Sequence, residues 1–422
     1  MIKLGSIFQF IKKYLPVYLL VNFSGNPIIT HQDYSNALLI GYTVSFLIYI
    51  LFIIDVQTLR KSIGIITGVI GLIIVIVFFQ QRILGLVSYP GILGYILRIL
   101  LTLATLLHLK HEKVDFLDVY IKTLAFIVVI SFPFWILNQF GFYGFDTGSS
   151  IRRSLIFYTS FEYQFNLRLT GSPIIRNSGV FWEPGAFAGY LILAIVFIAF
   201  KNRKFQVGPY KKETFFLLVG LLTSQSTTGY ITFMLILVIH SMQTYNMGKI
   251  VIIPLMIFVI GLSYLNLNFL REKIDKELTD TEQMSSNDIS SGRFGALKMD
   301  LQYIKSQPII GNGWHVSTRY RFHPQVKNIN IGHGNGMSNI IVIWGIPFFI
   351  FWLICTYRFA RQVSQSAITA SAGVFIIILL LQGEQFLYYP VFLAFFFLPF
   401  VYENIMSVES KLYIIKSYFY SK

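Results

Sequence analysis

Residues 214–242 read "TFFLLVGLLTSQSTTGYITFMLILVIHSM", two apolar runs separated by a polar break, "TSQSTTG", at 223–229. A straight helix crosses the hydrocarbon with about 20 apolar residues. The segment, taken as 214–243, is too long for one such pass. Whether it is one crossing or two sets the topology of every element around it.

The rest of the chain makes the bilayer its solvent. Of 422 residues, 55% are hydrophobic and only 13% charged, with a mean hydropathy of +0.64. Soluble domains carry roughly 25% charged residues. The 41 Phe and 25 Tyr suit lipid-facing surfaces and interfacial belts. A net charge of +15 would fit a nucleic-acid partner, but the basic residues fall in short clusters between apolar runs. That distribution fits positive-inside loops or an anionic headgroup, and no nucleic-acid partner is expected. The single Cys355 excludes an internal disulfide and a cysteine metal site. Lys3, Lys12 and Lys13 precede only a brief apolar stretch, so no secretory signal of the usual form is expected.

Apolar runs that predict spans lie at 36–54, 63–79, 83–107, 119–138, 179–200, 249–268, 337–357, 366–386 and 389–405. Residues 14–23, "YLPVYLLVNF", are short and contain Pro16. Basic clusters stand at Arg60–Lys61, Lys110–Lys113, Lys201–Lys212, Arg358–Arg361 and Lys411–Lys422. Lys and Arg in short loops favour the cytoplasm. All these clusters share that side only if 214–243 makes two passes, the first short and turning at "TSQSTTG". The N-terminus joins them if 14–23 helps to form a first helix. The expected fold is therefore all-α and polytopic. It is one integral membrane domain over 1–422, with about twelve transmembrane helices. Two long outer loops, 139–178 and 269–336, then face away from the cytoplasm.

In the second loop the polar stretch "DKELTDTEQMSSNDISSGR" (275–293) leads into "FGALKMDLQYIKSQ" (294–307). Phe294, Leu297, Leu301 and Ile304 recur at three- and four-residue spacing. This predicts an amphipathic helix on the membrane surface or on the bundle.

The outer loops also hold the candidate chemistry. The first carries Arg152, Arg153, Arg168 and Arg176 against Asp146 and Glu162; the second has nine Lys or Arg against seven acids, with His315, His323 and His333. Arginine grips phosphate through a planar fork of donors. Arg152 and Arg153 read as solvated loop charge. In "SPIIRNSGVFWEPGAFAGY" (172–190), Arg176 precedes a span and Glu183 falls at its start. A carboxylate there costs a few kcal/mol unless it is paired or faces water, which makes Glu183 a functional candidate, the plainer reading being a helix-holding ion pair. Arg293 opens the amphipathic helix, and Gly311-Asn312-Gly313 follows it, a turn that lets backbone approach another group closely. "IGHGNGMSN" (331–339) puts His333 at the water–membrane boundary, where it could take a proton from a hydroxyl, with Asn335 or Asn339 to cap the next helix. No His-x-x-x-His pair appears, so no metal site is expected. Arg98 reads as structural, and Glu384 as a partner for a loop arginine. The Ser/Thr cluster at 223–228 reads as satisfying the helix break.

The order of "SGVFWEPGAFAGY", the "TSQSTTGYI" break, "SGRFGALKMDLQYIKSQPIIGNG" and then His333 with Asn335 before a last helical block resembles the O-antigen polymerase/O-antigen ligase superfamily. The motifs cover roughly 170–360, the helix layout the whole chain. The family often has His followed directly by Asn, where this chain has Gly334 between, and Ser-Arg in the break, where Ser224 is followed by Gln225. The resemblance implies a metal-independent glycosyltransferase without cofactor, multi-pass in the bacterial inner membrane, its active side towards the periplasm. The donor would be a glycan on undecaprenyl diphosphate and the acceptor a sugar hydroxyl. Arg176, Arg293 and Arg168 would bind the diphosphate, and His333 or Glu183 would orient or deprotonate the hydroxyl. Asn335, Arg319 and Arg321 are candidates for support. Implied partners are membrane lipids and the pathway's chain-length regulator and flippase. Polymerase is the first expectation and ligase, transferring to lipid A core, the second. A flippase for the same lipid-linked glycan is the rival of another class. It should show a midplane site and related halves.

Overall fold

The computed structural model describes residues 4–30, 35–141, 145–146, 152–155, 158–163, 174–243, 275, 278–279, 281–284, 292–324 and 334–402. The candidate span 249–268 lies outside them. The helices are α1 Leu4–Phe23, α2 Pro27–Thr30, α3 Ser35–Ile53, α4 Val56–Leu84, α5 Tyr89–His111, α6 Phe116–Gln139, α7 Pro184–Lys201, α8 Lys211–Ser224 and α9 Thr227–Gln243. Then come α10 Arg293–Ser306, α11 Val316–Arg319, α12 Gly336–Trp344, α13 Ile346–Ser364, α14 Ala367–Gly383 and α15 Pro390–Leu393. By length and composition α3, α4, α5, α6 and α7 can each cross a membrane; α9 and α14 are shorter apolar helices. Burial orders them: the apolar window of α7 is 89% buried, against 17% in α3 and 22% in α4. Helix α7 is the hub, and α3 and α4 present their side chains outward.

The stretch 214–242 is two helices. Gln225 ends α8 in the left-handed region at φ 48°, and α9 starts at Thr227. Contacts give their directions. At the start of α8, Tyr210 donates to Asp118, which also accepts from Lys201 at the end of α7 at 2.6 Å. At the end of α9, Gln243 accepts from Phe205 N–H at 2.8 Å and donates to Thr369 at 3.3 Å; Thr369 in turn donates to the Arg203 carbonyl at 2.8 Å. Both ends of the pair thus lie at one basic end of the bundle, and the break lies at the other. A 14-residue helix is about 21 Å long, short of the roughly 30 Å hydrocarbon. The break therefore sits below the far surface, where its backbone needs protein partners. Tyr230 donates to the Leu222 carbonyl at 2.8 Å, and Ser226 Oγ accepts from Gly229 N–H at 3.2 Å.

The expected span 337–357 is broken too. Helix α12 stops at Trp344, Gly345 takes φ 84°, and α13 restarts at Ile346-Pro347. The freed carbonyls explain the Gly311-Asn312-Gly313 turn: Asn312 N–H donates to Val342 O at 2.6 Å and Gly313 N–H to Ile343 O at 3.2 Å. Ile346 N–H donates to Pro308 O at 2.8 Å. A Cβ on Gly345 would stand 2.0 Å from Ile309 O. From α4, Gln80 donates to Ile310 O at 2.6 Å and Ile343 O at 2.7 Å. The group that the glycine turn approaches is thus the end of a helix.

Other expectations need adjustment. The first helix is complete from Leu4, with Pro16 inside it. The span expected at 179–200 starts only at Pro184, behind buried irregular backbone at Ser178, Val180 and Phe181. The run 389–405 is not one regular helix: α15 passes into a 3-10 turn at Ala394–Phe396, and Phe392, Leu393, Phe395 and Phe396 are fully buried. The first outer loop is not all-α; it holds an antiparallel sheet in the order β1 Phe145–Asp146, β2 Arg152–Leu155, β3 Tyr158–Tyr163, β4 Ile174–Asn177. Trp135 and Gln139 near the end of α6 hold β4, both donating to Ile175 O at 2.9 Å. Helix α10 forms as expected, but Ala296, Met299, Asp300 and Tyr303 face the bundle while Phe294 and Leu301 stay exposed. Of its apolar stripe, Ile304 packs against the small cluster of Met284, Met299, Tyr303 and Val342.

Candidate glycan-transfer site at the helix break

Strand β4 delivers Arg176 to the break. Its Nε–H donates to the Ser224 carbonyl at 3.0 Å, one of the acceptors that the end of α8 exposes. The next residue fixes the approach: buried Asn177 donates to Ser131 Oγ at 3.2 Å and Thr223 Oγ1 at 3.1 Å, and accepts from Gly179 N–H at 2.9 Å. On the other flank of the break, Thr228 and the Arg293 guanidinium meet at Gly383, whose added Cβ would lie 3.2 Å from Thr228 Cγ2 and 3.7 Å from Arg293 Nε. Two arginines from separate outer segments thus converge on a stretch of five residues.

Glu183 is the N-cap position of α7, in extended backbone, with Pro184 behind it and no capping bond from its side chain. Glu384 ends α14 and is 9% exposed. Both carboxylates close on Gly185: a Cβ there would meet Glu384 Oε1 at 2.7 Å and Glu183 Oε1 at 3.2 Å. Arg293 Nη2 lies 3.9 Å from Glu384 Oε1, the loop-arginine pairing expected for Glu384. The half-buried Glu183 makes no ion pair or side-chain hydrogen bond among the described residues. So Glu384 seats the arginine, and Glu183 presents a carboxylate beside it.

Helix α12 completes the wall. Asn335, not Asn339, is its cap: Oδ1 accepts from Ser338 N–H at 3.0 Å while Nδ2 donates to Gln382 at 2.7 Å. Gly336 passes so close to the Glu384 carbonyl that a Cβ would be 1.9 Å from it. Asn339 instead accepts from Arg319, Nε at 3.0 Å and Nη2 at 2.8 Å. Arg319 also donates to Asp300 at 2.7 Å, and Asp300 accepts from Ser338 Oγ at 2.6 Å. Burial works against the Arg319 charge, but the Asp300 carboxylate outweighs it and the guanidinium pKa rises. Tyr303, pushed up to about 12 chiefly by burial, stays a neutral phenol sharing a 2.7 Å hydrogen bond with His323.

The candidate residues therefore separate. Arg176, Glu183, Arg293 and Asn335 gather around the break. Arg319 lies in a buried lock between α10 and α12, and Arg321 is exposed, stacked 4.7 Å from the Phe322 ring. His333 and Arg168 lie outside the described residues, though Gly334 and Asn335 deliver the chain from His333 to this wall. Sequence reasoning missed Asp300, Ser338, Gln382 and Gln80. None of the four stood out in sequence: Gln80 is followed by Gln81 and Arg82, and Asp300 lies among Lys298, Gln302 and Lys305.

Residues 214–353 match the O-antigen ligase family. The matched third of the chain begins within α8 and ends within α13, so it contains the break, Arg293 and α12. It bears out the resemblance to the O-antigen polymerase/ligase superfamily. It supports a membrane glycosyltransferase-like enzyme of surface-glycan assembly in a multi-pass chain. No curated protein matches the chain.

Proposed function

We propose that the protein transfers glycan from an undecaprenyl-diphosphate carrier to a sugar hydroxyl, joining repeat units as a polymerase. The observation that carries this reading is Glu183 without a partner among the described residues, beside the Arg293–Glu384 pair and near Arg176, at the end opposite the basic clusters. The acceptor oxygen attacks the anomeric carbon and the bond from that carbon to the diphosphate oxygen breaks. The diphosphate leaves with the electron pair, and the hydroxyl proton passes to Glu183, with His333 to orient the hydroxyl. Arg176 and Arg293 meet the negative charge that grows on the leaving group, so they act most strongly in the transition state. No nucleotide enters the balance, since the lipid diphosphate is itself activated, and the reading gives metal no step.

The donor's prenyl tail stays in the bilayer, which suits a site sunk below the surface at a helix break. With the basic end in the cytoplasm, the break faces the periplasm of the inner membrane. Ligase action, with lipid A core as acceptor, is the second reading, favoured by the description of the matched family. Purified protein with an undecaprenyl-diphosphate-linked repeat unit separates them. Lengthened lipid-linked glycan supports the polymerase, and transfer only after lipid A core is added supports the ligase. Movement of intact lipid-linked sugar across vesicles without transfer would overturn both in favour of a flippase.

A further inference from the structure

At the basic end, away from the helix break, a cavity of about 260 Å³ opens between α4, α5 and the last helical turns. Lys61 from the second turn of α4 and Lys110 from the last turn of α5 both line it. Its other walls are apolar: Ile65, Leu103, Leu107, Phe397, Phe400 and Val401, with Ser62 between. Ser62 Oγ is occupied, donating to Thr58 O at 2.7 Å. Neither lysine makes a hydrogen bond or ion pair with another described residue. Asp55, whose field reaches Lys110, is fully exposed and uses its carboxylate to cap α4 at Thr58 N–H, 2.8 Å away. A further cation, Arg358, stacks 5.6 Å from the Phe400 ring that walls the cavity.

Positive-inside bias alone scatters lysines along an interface. Here two helices aim like charges at one recess with an apolar floor, an arrangement that costs repulsion unless an anion lies between them. We infer that this recess binds an anionic phospholipid, its phosphate between Lys61 and Lys110 and an acyl chain against Leu103, Leu107, Phe397 and Phe400. The lipid ties the C-terminal helical turns to α4 and α5. With the basic end in the cytoplasm, the lipid belongs to the inner leaflet.

Native mass spectrometry of detergent-purified protein titrated with phosphatidylglycerol, phosphatidylcholine or inorganic phosphate tests this. Wild type should retain phosphatidylglycerol over phosphatidylcholine and show no retained inorganic phosphate. Each lysine is worth roughly fivefold in affinity at an anionic headgroup, so Lys61→Gln with Lys110→Gln should lose the preference, and Lys61→Arg with Lys110→Arg should keep it. Equal retention of phosphatidylcholine by wild type, or an undiminished preference in the double glutamine variant, would overturn the site. Retention of inorganic phosphate as strongly as lipid would overturn the lipid assignment. Glu403, which follows in the chain outside the described residues, serves as control. Glu403→Gln should leave retention unchanged, and a large gain would make that carboxylate, not a lipid, the lysines' partner.

Discussion

Glu183 and Glu384 flank the same glycine, yet their surroundings assign them different work. Glu384 is nearly buried and faces Arg293, whereas Glu183 is half-buried at the start of α7 with no described partner. Removing a positioned base costs about 10²- to 10⁴-fold in rate. Glu183→Gln should therefore lose transfer by that order while the melting temperature holds. Glu384→Gln should loosen Arg293 and act more on kcat than on KM, as steady-state kinetics would show. The Arg319–Asp300 pair is a different kind of charge. Both residues are buried, and each leaves the other uncompensated if removed. Asp300→Ala should cost about 3–5 kcal/mol, read as a lower melting temperature; an unchanged one would mean that α10 is not locked as described.

Two helix breaks, and the groups that satisfy them, shape the bundle around the site. The first was legible in sequence because "TSQSTTG" interrupts a run too long for one pass. The second was not. Gly345-Ile346-Pro347 sits in a largely apolar run, and the donors for its carbonyls come from far along the chain, from the Gly311–Gly313 turn and from Gln80. The face of α10 was left open between membrane surface and bundle for a related reason. Periodicity reports an apolar stripe but not whether lipid or protein covers it, and the buried face is built from Ala296, Asp300 and Tyr303. The sheet in the first loop follows from backbone pairing that its mixed polar sequence does not announce. Gln80→Leu removes donors to Ile310 O and Ile343 O and should cost about 2 kcal/mol. Gly345→Ala should cost more, because it meets both φ 84° and a carbonyl at 2.0 Å. Thermal unfolding of the two variants in one detergent checks the order.

For the whole molecule the question returns to sides of the membrane. Two passes through 214–243 put Lys204 and Arg361, both exposed at the basic end, on one side; a single pass would put them on opposite sides. Lys204→Cys and Arg361→Cys, each in a Cys355→Ser background, should react alike with a membrane-impermeant maleimide, and both should differ from Arg321→Cys. Opposite labelling of the first two would refute the topology. The placement of Arg176, Glu183 and Arg293 at the far end was legible from charge and loop order; their convergence on the helix break was not, because it depends on β4 packing on α8 and α14 packing on α9. The central claim is that this convergence performs glycan transfer. The measurement that tests it most directly is single-turnover transfer from an undecaprenyl-diphosphate-linked repeat unit by wild type and Glu183→Gln in matched nanodiscs, with melting temperature recorded for both. The variant should be at least about 100-fold slower at an unchanged melting temperature. Transfer at the wild-type rate by a folded Glu183→Gln protein would contradict it.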